Sequence, residues 1–416
     1  MSLKKQFYSN PLKKNFEPTR NKLGIRLHEP TYDYKEIDAV VKTLLSSNLT
    51  FGKKTKNFED NFKKFIKTKN ALYVNSGSSA NLLALSTLTN PYFKNHLKPG
   101  DEVIVPALSW STSVWPIIQN NLIPVFVDIE KDTMNIDPVK IQKAISRKTK
   151  AILIIHTYGN SCNMKEIIKI KKKYNLFLIE DTCEALGTKY MNKFCGTFGD
   201  IGTYSFYFSH HMTTGEGGMM ITNNKEINQI SNTLRAHGWT RNLQKKDKIK
   251  YERKFKNIDK KFLFINIGYN IRGSEIGASM GIEQLKKLKK FISKRRYVAN
   301  KFVKYFKKNK LFSIQKETEK SSHSWFGIPI LINNKKTKTE KIRKILDNKN
   351  IETRPIICGN ITSQPALKKF KFRISGNLKN SNFIMKHSFA FGCHQNISDR
   401  NINYAKDLFN RLDNEK

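Results

Sequence analysis

Long apolar segments are missing from this chain. Its longest wholly apolar run, residues 151–155, has about five residues, whereas a membrane-spanning helix needs about 20. The first residues, MSLKKQFYSNPLKKNF, contain no apolar core of the kind found in signal peptides. We therefore expect no membrane association and a cytoplasmic location.

Cysteine is also scarce. The five cysteines are odd in number and scattered, and no C-x-C or C-x-x-C pair occurs. Closely spaced pairs are typical of zinc and iron–sulfur sites. The spacing therefore gives little support to a metal centre, and free thiols in a reducing compartment are the simpler interpretation.

Acidic residues are few, with 34 Asp and Glu against 76 Lys and Arg, which gives a net charge of +42. Such a charge raises the possibility of nucleic-acid binding. The basic residues are mostly lysines distributed along the whole chain among many Asn and Ile, and they form no basic arm or recognition motif. We therefore do not expect a nucleic-acid partner, and compositional drift explains the lysines more simply.

Blocks typical of strands and helices alternate over the first two thirds of the chain. Strands are predicted at residues 71–75, 102–106, 123–128, 151–156, 176–181, 202–206 and 218–222. Helices are predicted at residues 79–87, 114–120, 138–146, 165–174 and 227–237. The alternation, with strands apolar throughout, predicts an α/β fold around a mostly parallel seven-stranded sheet covered on both faces.

The pattern changes after about residue 270. A long charged helix (274–308) is followed by a strand (325–331), a helix (339–347), a strand (351–356) and a last helix (400–412). We predict an N-terminal arm (1–30), a large domain (31–270) and a smaller C-terminal α/β domain (271–416). Residues 243–262 are dense in charge and are predicted to form a surface excursion.

Ligands of α/β sheets collect at the carboxyl ends of the strands. The first predicted strand is followed by Gly77, Ser78 and Ser79, which lead into a helix. Such a turn offers backbone N–H groups and hydroxyls to a phosphate. The alternative is an ordinary helix cap, because Ser and Gly are common there.

Two further strand ends carry notable side chains. Trp110 follows the second strand and could stack on a flat heterocycle or pack as an ordinary aromatic residue. Asp181 ends the fifth strand, with Glu184 close behind. A carboxylate there needs a partner, such as a protonated pyridine nitrogen, although a capping Asp is equally compatible with the pattern.

The most specific segment follows the sixth strand and reads SFYFSHHMTTGEGG, from Ser205 to Gly218. Together with the turn, the tryptophan and the strand-end Asp, it resembles the sugar aminotransferase (DegT/DnrJ/EryC1/StrS) family over about residues 25–412. That family has the pyridoxal phosphate (PLP) type I fold of aspartate aminotransferase, and a lysine in this segment forms the Schiff base. Here His210 occupies the lysine position, five residues after Ser205 and six before Glu216. The adjacent His211 does not fit the spacing, and the pattern leaves its role open.

The histidine changes what the resemblance implies. Imidazole cannot form the lasting Schiff base of lysine, but it can transfer protons near neutral pH. The same exchange characterises the nucleotide-sugar 3-dehydratases of the family, which remove the C3 hydroxyl of a 4-keto-6-deoxyhexose. One kind acts on a GDP-linked sugar with pyridoxamine phosphate (PMP) regenerated from L-glutamate. The other acts on a CDP-linked sugar and needs an iron–sulfur cluster with a C-x-C pair, which this chain lacks.

The resemblance therefore implies a PLP/PMP-dependent lyase with His210 as acid and base, acting on a GDP-linked keto-sugar for a polysaccharide such as an O-antigen. It assigns the cofactor to Gly77, Ser78, Ser79, Trp110, Asp181, Glu184, Ser205 and Asn270. Asn270 would act across a homodimer interface, and the substrate would meet His237, Arg241 and Arg354. An aminotransferase, the iron–sulfur enzyme and a non-catalytic sugar-nucleotide sensor remain as alternatives.

Overall fold

A computed structural model describes residues 23–243, 245–334 and 336–414. Most of the predicted N-terminal arm, residues 1–22, lies outside the described residues. In the part of the chain that is described, no helix is both long enough and apolar enough to cross a membrane.

The first two thirds of the chain alternate between helices and strands as predicted. In chain order the elements are α1 (Tyr34–Leu45), α2 (Lys53–Ile66), β1 (Asn70–Val74), α3 (Gly77–Leu88), β2 (Glu102–Pro106), α4 (Ser111–Gln119), β3 (Ile123–Val127), α5 (Pro138–Ala144), β4 (Thr149–Ile155), α6 (Met164–Lys173), β5 (Phe177–Asp181), β6 (Lys189–Tyr190), β7 (Lys193–Phe194), β8 (Ile201–Ser205), β9 (Gly218–Thr222), α7 (Lys225–Leu234) and α8 (Lys245–Lys254).

The last third contains α9 (Glu275–Phe306), β10 (Phe312–Ile314), β11 (Ser321–Ser322), β12 (Gly327–Ile332), α10 (Thr339–Asn348), β13 (Thr353–Arg354), β14 (Arg373–Ile374), α11 (Lys379–His387), β15 (Ser388–Gly392) and α12 (Asp399–Asn414). The predicted strand at 351–356 is reduced to two residues. Pro355 lacks a backbone N–H for a ladder, and Ile357 has a φ of 49°, so the chain leaves the sheet there.

The seven predicted strands lie in one mostly parallel sheet, in the order β1-β9-β8-β5-β4-β2-β3, and an eighth strand, β14, extends it. Only β9 runs antiparallel to its neighbours, β1 and β8. Strand β14 is a distant segment that pairs with β3 and is fastened by hydrogen bonds from Arg373 to Glu102. Its two residues carry no periodic pattern, so the sequence did not indicate it.

A second sheet of four strands, β10-β12-β15-β13, belongs to the C-terminal third. Helix α9 contributes to both cores. Ala278 and Leu288 pack in the cluster of Phe58 and Phe62 beside the large sheet, whereas Phe302 belongs to the core of the small sheet. The domain boundary at residue 270 remains a prediction, and this continuous helix joins the two cores.

Helix caps fix where the chain turns toward the carboxyl edge of the large sheet. The Ser76 side chain accepts a hydrogen bond from the Ser79 N–H and so starts α3 directly after β1. Asp33 and Glu36 form a capping box that starts α1. Helix α8, in the predicted surface excursion, has no buried residue.

Candidate active site

A cavity of about 410 Å³ lies at the carboxyl ends of the central strands. Eight of the residues selected from the sequence line it. They are Gly77, Ser78, Trp110, Asp181, Glu184, Ser205, His210 and Arg354. They come from five separate segments. Four of these segments follow parallel strands of the large sheet, whose carboxyl ends meet at one edge.

One wall of the cavity is the N-terminus of α3. The backbone N–H groups of Gly77 and Ser78 lie in its first turn, where helices leave donors without intrahelical partners. A Cβ at Gly77 would lie 2.6 Å from the Ser205 Cβ, so only glycine lets β8 approach this closely. A Cβ at Gly218 would lie 2.3 Å from the Ser76 carbonyl oxygen. The turn, the hydroxyl of Ser205 and the helix dipole thus form an anion-binding corner.

Asp181 is buried at the end of β5, with 5% of its surface exposed. One carboxylate oxygen accepts hydrogen bonds from Asn81 Nδ2 (2.8 Å) and Ser113 Oγ (2.7 Å). The other accepts one from the Cys183 N–H at 3.1 Å. Thr203 donates to the Asn81 carbonyl oxygen at 2.6 Å and thereby orients the amide. The carboxylate is held in one orientation while it lines the cavity.

Asn81 and Ser113 were not selected from the sequence. Asn81 lies one turn inside α3, in the stretch ANLLAL (residues 80–85), which is otherwise apolar, and it is 1% exposed. A lone polar residue at a buried helical position is the signal that could have identified it. Ser113, in α4, offers no comparable signal.

Glu184 brings a second carboxyl group to the cavity. Its Oε2 accepts a hydrogen bond from the Tyr158 N–H at 2.8 Å. Burial raises the pKa of Glu184 to about 7, against the lowering effects of this bond and of the Arg354 charge. Asp181 raises it further through charge repulsion. Glu184 can therefore hold or release a proton near neutral pH.

His210 also lines the cavity, from the loop after β8. Its ring centroid is 5.0 Å from that of Phe326 and 5.9 Å from that of Tyr207. Burial, together with the positive charges of Arg295 and Arg354, lowers the pKa of His210 to about 3. The imidazole is therefore neutral at pH 7, with a lone pair on one of its ring nitrogens.

His211 does not line this cavity and is fully buried. Its Nε2 lies 3.2 Å from the Ser324 carbonyl oxygen. A carbonyl only accepts, so this nitrogen must carry the proton. His211 thus anchors the loop, which answers the question that the sequence left open about its role.

Four residues selected from the sequence do not line the cavity. The N–H and hydroxyl groups of Ser79 bond to Ser76 at 3.0 Å each. His237 and Asn270 form a separate cluster around Arg272, at 3.2 Å and 3.0 Å from its Nη2. Arg241 is exposed and lies over the Trp239 ring. Arg272 was not selected, although it links this cluster to the end of β1 through the Val74 bridge.

The arrangement suits a particular kind of ligand. A phosphate would meet the N-terminus of α3, a protonated ring nitrogen would meet Asp181, and Trp110, half of whose surface is exposed, offers a face for stacking. Among the described residues, no group of three or more His, Cys, Asp and Glu side chains is placed to hold a metal ion.

Comparison with known proteins finds relatives over most of the chain. The model of the DegT/DnrJ/EryC1/StrS aminotransferase family covers residues 30–408. The chain is 40% identical over 396 residues to GDP-4-keto-6-deoxy-D-mannose 3-dehydratase from Yersinia pseudotuberculosis, covering 94% of this chain and 98% of the relative. It is 38% identical over 390 residues to the lipopolysaccharide biosynthesis protein RfbH of Salmonella typhimurium, covering 90% of this chain and 88% of the relative.

The fold has a close match as well. A crystal structure of GDP-4-keto-6-deoxymannose-3-dehydratase with a trapped PLP-glutamate geminal diamine superposes with a TM-score of 0.87 and 38% identity, covering 93% of this chain and 100% of the other. The predicted type I fold is thereby confirmed. This chain belongs to the DegT/DnrJ/EryC1/StrS aminotransferase family.

Proposed function

We propose that the chain is a PLP/PMP-dependent 3-dehydratase that removes the C3 hydroxyl of a nucleotide-linked 4-keto-6-deoxyhexose. GDP-4-keto-6-deoxymannose is the proposed substrate and L-glutamate the proposed amino donor, because the similar proteins are named for that sugar and one holds a PLP-glutamate adduct. The observation that carries the proposal is a neutral histidine, His210, facing the cavity at the position of the Schiff-base lysine.

The cavity fits the cofactor. The close approach of Ser205 to Gly77 and the free donors of α3 suit its phosphate, and the three hydrogen bonds to Asp181 leave this carboxylate fixed for the pyridine nitrogen. Trp110 would stack on the ring. When bound, PLP supplies an electron sink for bond cleavage at the neighbouring carbon.

The chain's own residues then supply proton transfer and orientation. The neutral imidazole of His210 can accept a proton from carbon and return it to the leaving C3 hydroxyl. Its Nδ1 is buried without a hydrogen-bond partner among the described groups. Glu184, whose pKa lies near 7, would orient the ring from the side of its hydroxyl. Arg354, which also lines the cavity, would bind the anionic substrate.

The rival function is amino transfer to the sugar. An aminotransferase needs an amine that exchanges with the cofactor, and no lysine of the described chain lines the cavity. Without such an amine the cofactor would be held by non-covalent contacts alone. Dehydration is therefore favoured over transamination.

Replacing His210 tests the proposal. His210→Lys should give the visible absorbance of a PLP–lysine Schiff base and abolish dehydration, because the cofactor is trapped and the base is lost. The control His96→Lys places the same charge on a loop outside the cavity and should leave the absorbance and the dehydration activity unchanged. Dehydration that persists in His210→Lys would contradict the assignment of His210 as the base.

We also propose a homodimer, with Asn270 reaching the cofactor phosphate of the partner subunit. Asn270 is exposed, and the neighbouring surface is unusually apolar: Ile267 is 99% exposed, Phe262 61% and Phe264 51%. Exposed patches of this kind mark interfaces, and a second copy would cover both this surface and Asn270.

Sedimentation measures the dimer directly. Ile267→Asp should convert the dimer into monomers and weaken PLP binding at the same time, because burying the new charge is costly. The matched control Val139→Asp alters another exposed apolar residue and should do neither. A monomeric wild type would contradict the interface.

The cytoplasm is the proposed location. All five cysteines are free thiols in the structure, which suits a reducing compartment. Fractionation of cells that produce the protein would test this, and recovery in a membrane fraction would contradict it.

A further inference from the structure

The loop that carries His210, residues 207–213, is closed at its base by strong contacts. The Thr214 N–H and the Thr213 hydroxyl both donate to the Phe206 carbonyl oxygen, at 2.9 Å and 3.2 Å. The Thr213 N–H donates to Gln284 Oε1 at 3.1 Å. The base of the loop is therefore tied to helix α9.

Gln284 binds a second segment with the same side chain. Its Oε1 also accepts from the Thr31 hydroxyl at 2.7 Å, and its Nε2 donates to the Thr31 carbonyl oxygen at 3.0 Å and to Glu36 at 2.9 Å. The amide is fully buried, and each of these bonds satisfies a group that would be costly to leave unpaired. Gln284 thus joins the loop to the segment before α1.

That segment, residues 24–33, which we call the N-terminal strap, covers the tip of the loop. Phe208 lies between two strap residues: its ring centroid is 5.0 Å from that of His28, edge to face at 87°, and 6.4 Å from that of Tyr32. Phe208 is only partly buried, and these two rings pack against it.

The far end of the strap is bound to the C-terminal domain. The Ile25 N–H donates to the Asn350 carbonyl oxygen at 2.8 Å, and the Glu352 N–H donates to the Ile25 carbonyl oxygen at 2.8 Å. The Leu27 N–H donates to the Glu352 carboxylate at 2.9 Å. Glu352 directly precedes β13, the strand that presents Arg354 to the cavity.

We propose that Phe208 is a positioning residue, and that the strap holds it so that His210 points into the cavity in register with Arg354. The strap is bonded at one end to the segment leading into the Arg354 strand and at the other to the His210 loop. A displacement of the His210 loop is thereby transmitted to the strand that carries Arg354, and the reverse. The proposal rests on the proposed function, since it assigns to the strap the alignment of that reaction's base with the residue at the substrate side.

Three variants test it: Phe208→Leu, His28→Ala and Tyr32→Ala. Each should lower kcat by about ten- to a hundredfold with KM changed less than about threefold, because misplacing a catalytic group by about 1 Å has costs of this order. The control Arg26→Ala removes an exposed strap side chain and should leave kcat unchanged. Thermal denaturation would show which variants remain folded, and two folded variants are enough for the test.

A second measurement does not depend on turnover. The imidazole ¹⁵N signals of His210, identified by their loss in His210→Asn, should shift in the three variants and stay in place in Arg26→Ala. Folded variants with wild-type kcat and unshifted His210 signals would overturn the proposal. If the wild type itself dehydrates no sugar, the proposed function fails, while the ¹⁵N signals still decide whether the strap positions His210.

Discussion

Glu184 gives the stability of this protein a pH dependence that can be calculated. In the unfolded chain its carboxyl group loses its proton near the ordinary pKa of 4.5, and in the folded protein near about 7. Between these values the folded state binds more protons than the unfolded state, so the free energy of unfolding falls as the pH rises. The stabilising contribution is complete below about pH 4.5 and lost above about pH 7.

The magnitude follows from the size of the shift. A change from 4.5 to about 7 corresponds to about 3 kcal/mol at about 1.36 kcal/mol per pKa unit. Glu184 is partly accessible from the cavity, and solvent screening reduces this to about 1–2 kcal/mol. Glu184→Gln cannot ionise but keeps an oxygen for the Tyr158 N–H. The free energy of unfolding of this variant minus that of the wild type should therefore be about 1–2 kcal/mol larger at about pH 8.5 than at about pH 5.

The assay is urea unfolding of wild type and variant, without added cofactor, at about pH 5 and about pH 8.5. The control Glu319→Gln alters an exposed carboxylate and should show the same difference from wild type at both pH values. If the free energies of unfolding of Glu184→Gln and the wild type differ by the same amount at both pH values, the reasoning is refuted. Glu184 would then have the same pKa in the folded and the unfolded state.

Two further substitutions probe the cofactor-binding residues. Asp181→Asn should weaken PLP binding by about 2 kcal/mol, roughly thirtyfold, because a charge-assisted hydrogen bond is lost; an absorbance titration measures it, and unchanged affinity would contradict the role of Asp181. Gly77→Ala places a Cβ 2.6 Å from the Ser205 Cβ and should lower both Tm and PLP affinity by forcing β8 away from α3. Retention of wild-type Tm and affinity would show that the corner tolerates a side chain.

Much of the large sheet could be predicted because its strands are short apolar runs between turn residues. Strands β2 and β9 occupy the predicted residues, 102–106 and 218–222. Their order along the chain also indicated which residues meet at the carboxyl edge, and eight of the selected residues line one cavity. The local sequence pattern is therefore sufficient to predict those site residues that directly follow a strand.

Contacts between distant segments could not be predicted in this way. Arg373 hydrogen-bonds to Glu102, which is far away along the chain. The two-residue strand β14 has no sequence pattern that predicts this contact. The contacts of Phe208 with His28 and Tyr32 likewise depend on how the strap crosses the loop. The predicted elements do not include helices α1 and α2, although the Asp33–Glu36 capping box and the spacing of Phe58, Phe62 and Ile66 indicate them.

The central claim, dehydration in place of amino transfer, is tested most directly by product analysis. The enzyme would be incubated with PLP, L-glutamate and GDP-4-keto-6-deoxymannose, and ammonia, 2-oxoglutarate and the sugar nucleotide would be quantified. The account predicts one ammonia and one 2-oxoglutarate for each GDP-linked 3,6-dideoxy-4-keto sugar formed. An amino sugar accumulating with 2-oxoglutarate, and without ammonia, would contradict it.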